Sequence, residues 1–199
     1  MTNKRIAKIV ASRSHVDYVG RVIDRLDAES APAPADYGFA QFVSLPSDEA
    51  NDVVGVIYDT QLVNPEYGSF GPRLSPPSEL SVLSPDYLNE QGVLVGVLLL
   101  GWRDASGAYH TVPRRVIPVG QEIFSMADEE VLKFHRDAAG TLRLHYYSQV
   151  VAHAGANALP LLEAMLEQLE AGASAEERQR FCVLRKSLVW QRTMGGVRL

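Results

Sequence analysis

Apolar residues come in short runs over the first 120 positions and at helical spacing after that. The runs predict strands at 6–10, 18–26, 39–45, 53–62 and 93–102. In 18–26, Tyr18, Gly20, Val22 and Asp24 share one parity and Val19, Arg21, Ile23 and Arg25 the other. Neither parity is cleanly apolar, so the facing of this strand stays open. In 39–45, Phe39, Val43 and Leu45 share a parity and Phe42 takes the opposite one. The strands 53–62 and 93–102 are apolar on both parities, as strands buried on both sides are. Gly55 and Gly96 interrupt them. An interior glycine marks a bend, a bulge or a close approach. That suits the corner of a small barrel, and an open sandwich tolerates it too.

Loops separate these runs at 28–36, with Pro32 and Pro34, and at 46–52. Asp104-Ala105-Ser106-Gly107 is a hairpin turn signal, followed by Tyr109 to Val112. The stretch 64–78 holds Pro65, Gly68, Gly71, Pro72, Pro76 and Pro77, which predicts a loop without regular structure. Tyr67, Phe70 and Leu74 punctuate it, as in a loop that docks against something.

The second part of the chain reads as helix. A short helix is expected at 128–136, with Asp128, Glu129 and Glu130 in the first turn where the helix dipole favours acids. The stretch 142–147 fits either a strand or a helix start. Leu159, Leu162, Leu166 and Leu169 give one stripe of a helix at 158–171, closed by Gly172. Ser174-Ala175-Glu176-Glu177 is a capping box opening a last helix to about Arg192, with Phe181, Leu184 and Leu188 on one face. The two helices form a helical hairpin. The expected class is therefore α+β, with a β-rich domain at 1–124 and a helical domain at 125–199.

Composition adds bounds. The chain has 199 residues, 46% of them hydrophobic and 22% charged, enough for a real core. A formal net charge of -5 argues against broad binding to nucleic acid or anionic membranes. The longest apolar run, about ten residues at 93–102, is half the ~20 a membrane helix needs. With no apolar stretch of signal-peptide type near Met1, the expectation is a cytoplasmic protein. The single cysteine, Cys182, sits among Phe181, Val183 and Leu184 and is expected as a small buried hydrophobe.

No motif announces catalysis. There is no phosphate-binding glycine loop and no nucleophile elbow. His15, His110, His135, His145 and His153 show no metal-ligand spacing. The chain is expected to be no enzyme and to need no cofactor or metal. Two charge features stand out. After Glu177 every charged residue is cationic, and Arg185 and Lys186 lie near Trp190. Cations near a helix C-terminus account for this, and the same face offers a contact for an acidic partner. Arg114-Arg115 is a second basic site, read as solvated strand-end charge or as a docking contact.

Residues 6–124 resemble the HAS-barrel family, the small β-barrel at the N-terminus of HerA-type DNA translocases. The resemblance rests on Gly20-Arg21-Val22, Phe42-Val43 and Val54-Gly55-Val56, then a long insert. Val97-Leu98-Leu99-Leu100-Gly101 follows, with the exit segment Arg115-Val116-Ile117-Pro118-Val119-Gly120-Gln121-Glu122-Ile123. In that family a Pro-x-Gly turn hands the chain to the next domain. A HerA-type chain would continue into a P-loop ATPase, whereas here helices follow. The resemblance implies a barrel that serves as a non-catalytic adaptor or assembly subunit of a separately encoded HerA/FtsK-like ATPase. Expected partner-binding residues are Arg114, Arg115, Tyr67, Phe70, Arg185, Lys186 and Trp190. A second copy of the chain could also bind the hairpin.

Two other readings stand beside it. One is a self-contained barrel for a ligand or single-stranded nucleic acid, with Tyr18, Phe39, Phe42 and Tyr58 as a stacking platform. The other is an enzyme built on scattered carboxylates.

Overall fold

The structure, a computed structural model, describes residues 3–46, 51–70, 82, 86 and 90–195, of which 68–70 and 191–195 by backbone alone. Among the described residues seven strands run β1 Arg5–Ser12, β2 Asp17–Val22, β3 Phe42–Leu45, β4 Asp52–Val63, β5 Gly92–Asp104, β6 Gly107–Tyr109 and β7 Glu122–Ser125. All pair antiparallel in the order β2-β1-β7-β3-β4-β5-β6. β2 also pairs with β5, Asp17 opposite Leu98 and Arg21 opposite Leu94, which brings the sheet round on itself as a small barrel. The class is α+β, with the helices following the barrel in sequence.

Side chains fill the barrel. A Cβ on Gly20 would lie 2.7 Å from Ile123 and 3.3 Å from Val95, so three strands meet there without spare room. Gly55 faces Val97 in the same way. β4 and β5 are buried on both sides over Val53–Tyr58 and Val95–Gly101 because helices cover their outer face. Phe42, opposite Val56, meets the ring of His135 edge-on at 5.1 Å. Gln149 donates to the Leu99 carbonyl, and Asn157 to that of Tyr58 at 3.1 Å. Each fully buried Val, Leu or Phe along this seam contributes roughly 1.5–3 kcal/mol.

The covering helices are α2 Asp128–His135, α3 Tyr147–His153, α4 Ala158–Glu170 and α5 Ala175–Gly195; a short α1, Pro65–Phe70, lies between β4 and β5. Leu162, Leu166 and Leu169 are buried as the stripe predicts, joined by Leu161 and Met165, while Leu159 is half-buried. The barrel and α2–α5 share one hydrophobic core. The capping box forms. The Glu177 N–H donates to Ser174 Oγ at 3.3 Å, and the Ser174 N–H to Glu177 Oε2 at 2.8 Å. Glu177 Oε1 also accepts the buried Leu142 N–H at 2.9 Å. These backbone donors hold the Glu177 carboxyl below the usual range. Glu177→Ala uncaps α5 and strands the Leu142 amide, so urea unfolding should show a loss of about 2 kcal/mol.

Several expectations are corrected. Pro65–Phe70 is a helix, not loop; proline at the first helical position is compatible with one turn. Residues 71–78, with Leu74, lie outside the described set. β2 ends at Val22 because Asp24 turns the chain, accepting the Leu26 N–H. β3 starts at Phe42, since Ala40 adopts a positive φ of 65° and leaves Phe39 exposed. The exit segment does not leave the barrel. After Gly120 the chain returns as β7, between β1 and β3. Cys182 is exposed, because α5 buries Phe181 and Leu188 on its other side. Leu142–Leu144 belongs to neither a helix nor a strand beyond one bridge from Leu142 to Arg136. Tyr18, Phe42 and Tyr58 are buried, so of the stacking platform only Phe39 presents a ring face.

Candidate functional site

Three polar arrangements lie around the barrel. The most buried joins α2 to the segment before α3. His135 donates from Nδ1 to the Val131 carbonyl at 2.6 Å and accepts the Tyr146 hydroxyl on Nε2 at 2.5 Å. His110, after β6, donates from Nε2 to the Phe134 carbonyl at 3.0 Å and accepts the His145 N–H on Nδ1. Both imidazoles are neutral by this bonding. Burial pushes His135 down to about 3, lowers His110, and raises the Tyr146 hydroxyl. Rings of Phe42, Phe134 and Tyr146 pack round them. Each ring nitrogen and the Tyr146 hydroxyl has a partner, so this cluster fastens the helices to the barrel. No group of three His, Cys, Asp or Glu among the described residues is placed to hold a metal.

The second arrangement is at the start of β2. Tyr58 donates to Asp17 Oδ2 at 2.8 Å and accepts from Arg13 at 3.0 Å. Burial, then the Asp17 bond, pushes the phenol up to about 12. It therefore stays protonated and holds the buried Asp17 carboxylate.

The third is at the barrel mouth. A pocket of about 510 Å³ lies among Asn51, Trp102, Thr111, Arg114 and Arg115. The Trp102 ring is half-buried and stacks on Tyr109, centroids 4.1 Å apart at 19°. The segment carrying the arginines is fixed at both ends. His15 Nε2 bonds the Pro113 carbonyl at 2.7 Å, and the Ile117 N–H donates to Tyr18 Oη at 3.1 Å. Behind the Trp102–Tyr109 stack lies a wider cleft of about 860 Å³ between the β5–β6 hairpin and α2. There Arg103 is occupied by Asp52 at 3.1 Å and Glu130 at 3.4 Å. Arg114 and Arg115 have no carboxylate partner among the described residues.

A family model, "Domain of unknown function (DUF8166)", matches residues 1–198. The chain belongs to the DUF8166 family. No curated protein matches it. Among the described residues, no helix of this DUF8166 chain is long and apolar enough to cross a membrane.

The residues expected at a partner site fall on three elements of the DUF8166 fold. Arg114 and Arg115 share the mouth pocket. Tyr67 is 64% exposed on α1. The Phe70 side chain lies outside the described residues. Lys186 and Trp190 are exposed on α5, whereas Arg185 turns back to Glu170 at 3.1 Å. Sequence reasoning missed Trp102, read only as the end of a core strand, and the His135–Tyr146 pair. The aromatic at the end of a strand whose hairpin partner is Tyr109 was the available signal for Trp102.

Proposed function

We propose that this chain is a non-catalytic adaptor, a barrel that docks a partner on its mouth. The observation that carries this is the 110–121 segment. It is anchored at Pro113 and Ile117, yet it exposes Val112, Val116 and Val119 together with Arg114 and Arg115, which have no carboxylate partner among the described residues. Exposed apolar side chains beside cations on a fixed backbone mark a protein-binding surface. The partner we infer is a HerA/FtsK-like DNA-processing ATPase on another chain, in the cytoplasm; the resemblance of 6–124 to the HAS-barrel family supports that choice. The alternative of a ligand held inside the barrel is disfavoured by the packing around Gly20 and Gly55.

The test is capture from lysate of the source cells at low and moderate salt, followed by mass spectrometry. A stoichiometric P-loop ATPase is expected, and its yield should drop about ten-fold with the charge reversal Arg114→Glu/Arg115→Glu. Capture of no ATPase by the wild-type protein ends this reading.

A further inference from the structure

We propose that the Trp102–Arg114–Arg115 pocket binds an acidic linear peptide in which carboxylates flank an apolar or aromatic side chain. The inference rests on the docking reading and names the chemistry of its contact. Three observations converge. The pocket, about 510 Å³, has the size of a site for one or two side chains. Its indole wall is held in place by the stack on Tyr109, so an apolar group can pack there without new ordering. Among the described residues its two guanidiniums are without carboxylates, while neighbouring Arg103 is held by two.

Guanidinium forks match carboxylates, and two adjacent ones fit two acids in sequence. The geometry favours a chain over a small anion. Val112, Val116 and Val119 extend the apolar surface along the same anchored segment, at 48%, 67% and 78% exposure. A nucleotide would fill the pocket and leave that track bare.

The experiment uses Trp102 as its own reporter. The chain has two tryptophans, so Trp190→Phe leaves Trp102 alone. A short blocked peptide of Asp and Glu around a central Phe is titrated while Trp102 emission is followed. A saturable change at micromolar peptide is expected. It should weaken with added salt and by about ten-fold in Arg114→Glu/Arg115→Glu. Arg114→Gln/Arg115→Gln serves if the reversal disturbs folding. The same peptide with Lys for its acids should leave the emission unchanged.

No saturable change up to millimolar acidic peptide overturns the proposal. So does equal binding by the charge variants, or a response to ATP or inorganic phosphate without one to the peptide. ATPase capture intact without peptide binding removes the pocket assignment and keeps the adaptor. Peptide binding without ATPase capture keeps the pocket and removes the adaptor's proposed partner.

Discussion

Acidification from pH 7 to 4.5 should cost this protein about 2–3 kcal/mol of stability through one buried histidine. His135 is held neutral with a pKa of about 3, against 6.5 for the free side chain. The unfolded chain therefore binds the proton first. The contribution is fully present above pH 6.5 and drains as pH falls toward the folded value. His110 is shifted down too and adds in the same direction. Glu177 and Asp36 are shifted down as carboxylates, so their contributions are present above the usual carboxylate range and drain as pH falls from that range toward their folded values. Urea unfolding at several pH values measures the curve. His135→Gln keeps a donor and an acceptor but cannot titrate. It should start less stable at pH 7 and lose much less between pH 7 and 4.5. An unchanged pH slope in that variant would show that His135 does not drive the loss.

Gly101→Ala should cost about 3 kcal/mol or more and erase the wall between the two mouth cavities. A Cβ there would lie deep inside the Tyr109 carbonyl oxygen, with His110 Cα also within 3.2 Å. The obstruction is backbone, so no rotamer change relieves it, and β6 must leave β5. The Trp102–Tyr109 stack goes with it, as loss of near-ultraviolet circular dichroism reports. Gly172→Ala is the control. Its new methyl meets the side-chain tip of Leu132, which can move, so a smaller loss of about 1 kcal/mol is expected. Comparable losses in the two variants would mean that β6 tolerates displacement.

The elements that were legible in the sequence are those whose own residues contain the reason for them. β4 and β5 are long apolar runs, α4 has its leucine period, and α5 begins at Ser174 with Glu177 three residues on. β7 was not legible. Only Ile123 among its four residues is fully inward, and its partners β1 and β3 are remote, so it read as an exit. The same limit hid the site. Arg114-Arg115 showed as a charge pair, but nothing nearby in sequence says that Trp102 lies across from it. His135 showed only as one of five histidines without metal-ligand spacing; its neutrality comes from burial beside Tyr146 and the ring of Phe42, far earlier in the chain. Cys182 failed because its apolar neighbours lie on a helix that buries only part of its circumference.

The late arrival of β7 has a consequence for how the chain folds. Arg5 pairs with Glu122 across 117 positions, and β3 also waits for β7 on its outer edge. An emerging chain thus holds β1 with one bare edge until residue 125 has cleared the ribosome. Closure then proceeds against the entropy of a long loop, which makes it slow relative to the hairpins formed earlier. During synthesis that open edge is the surface a chaperone would meet first.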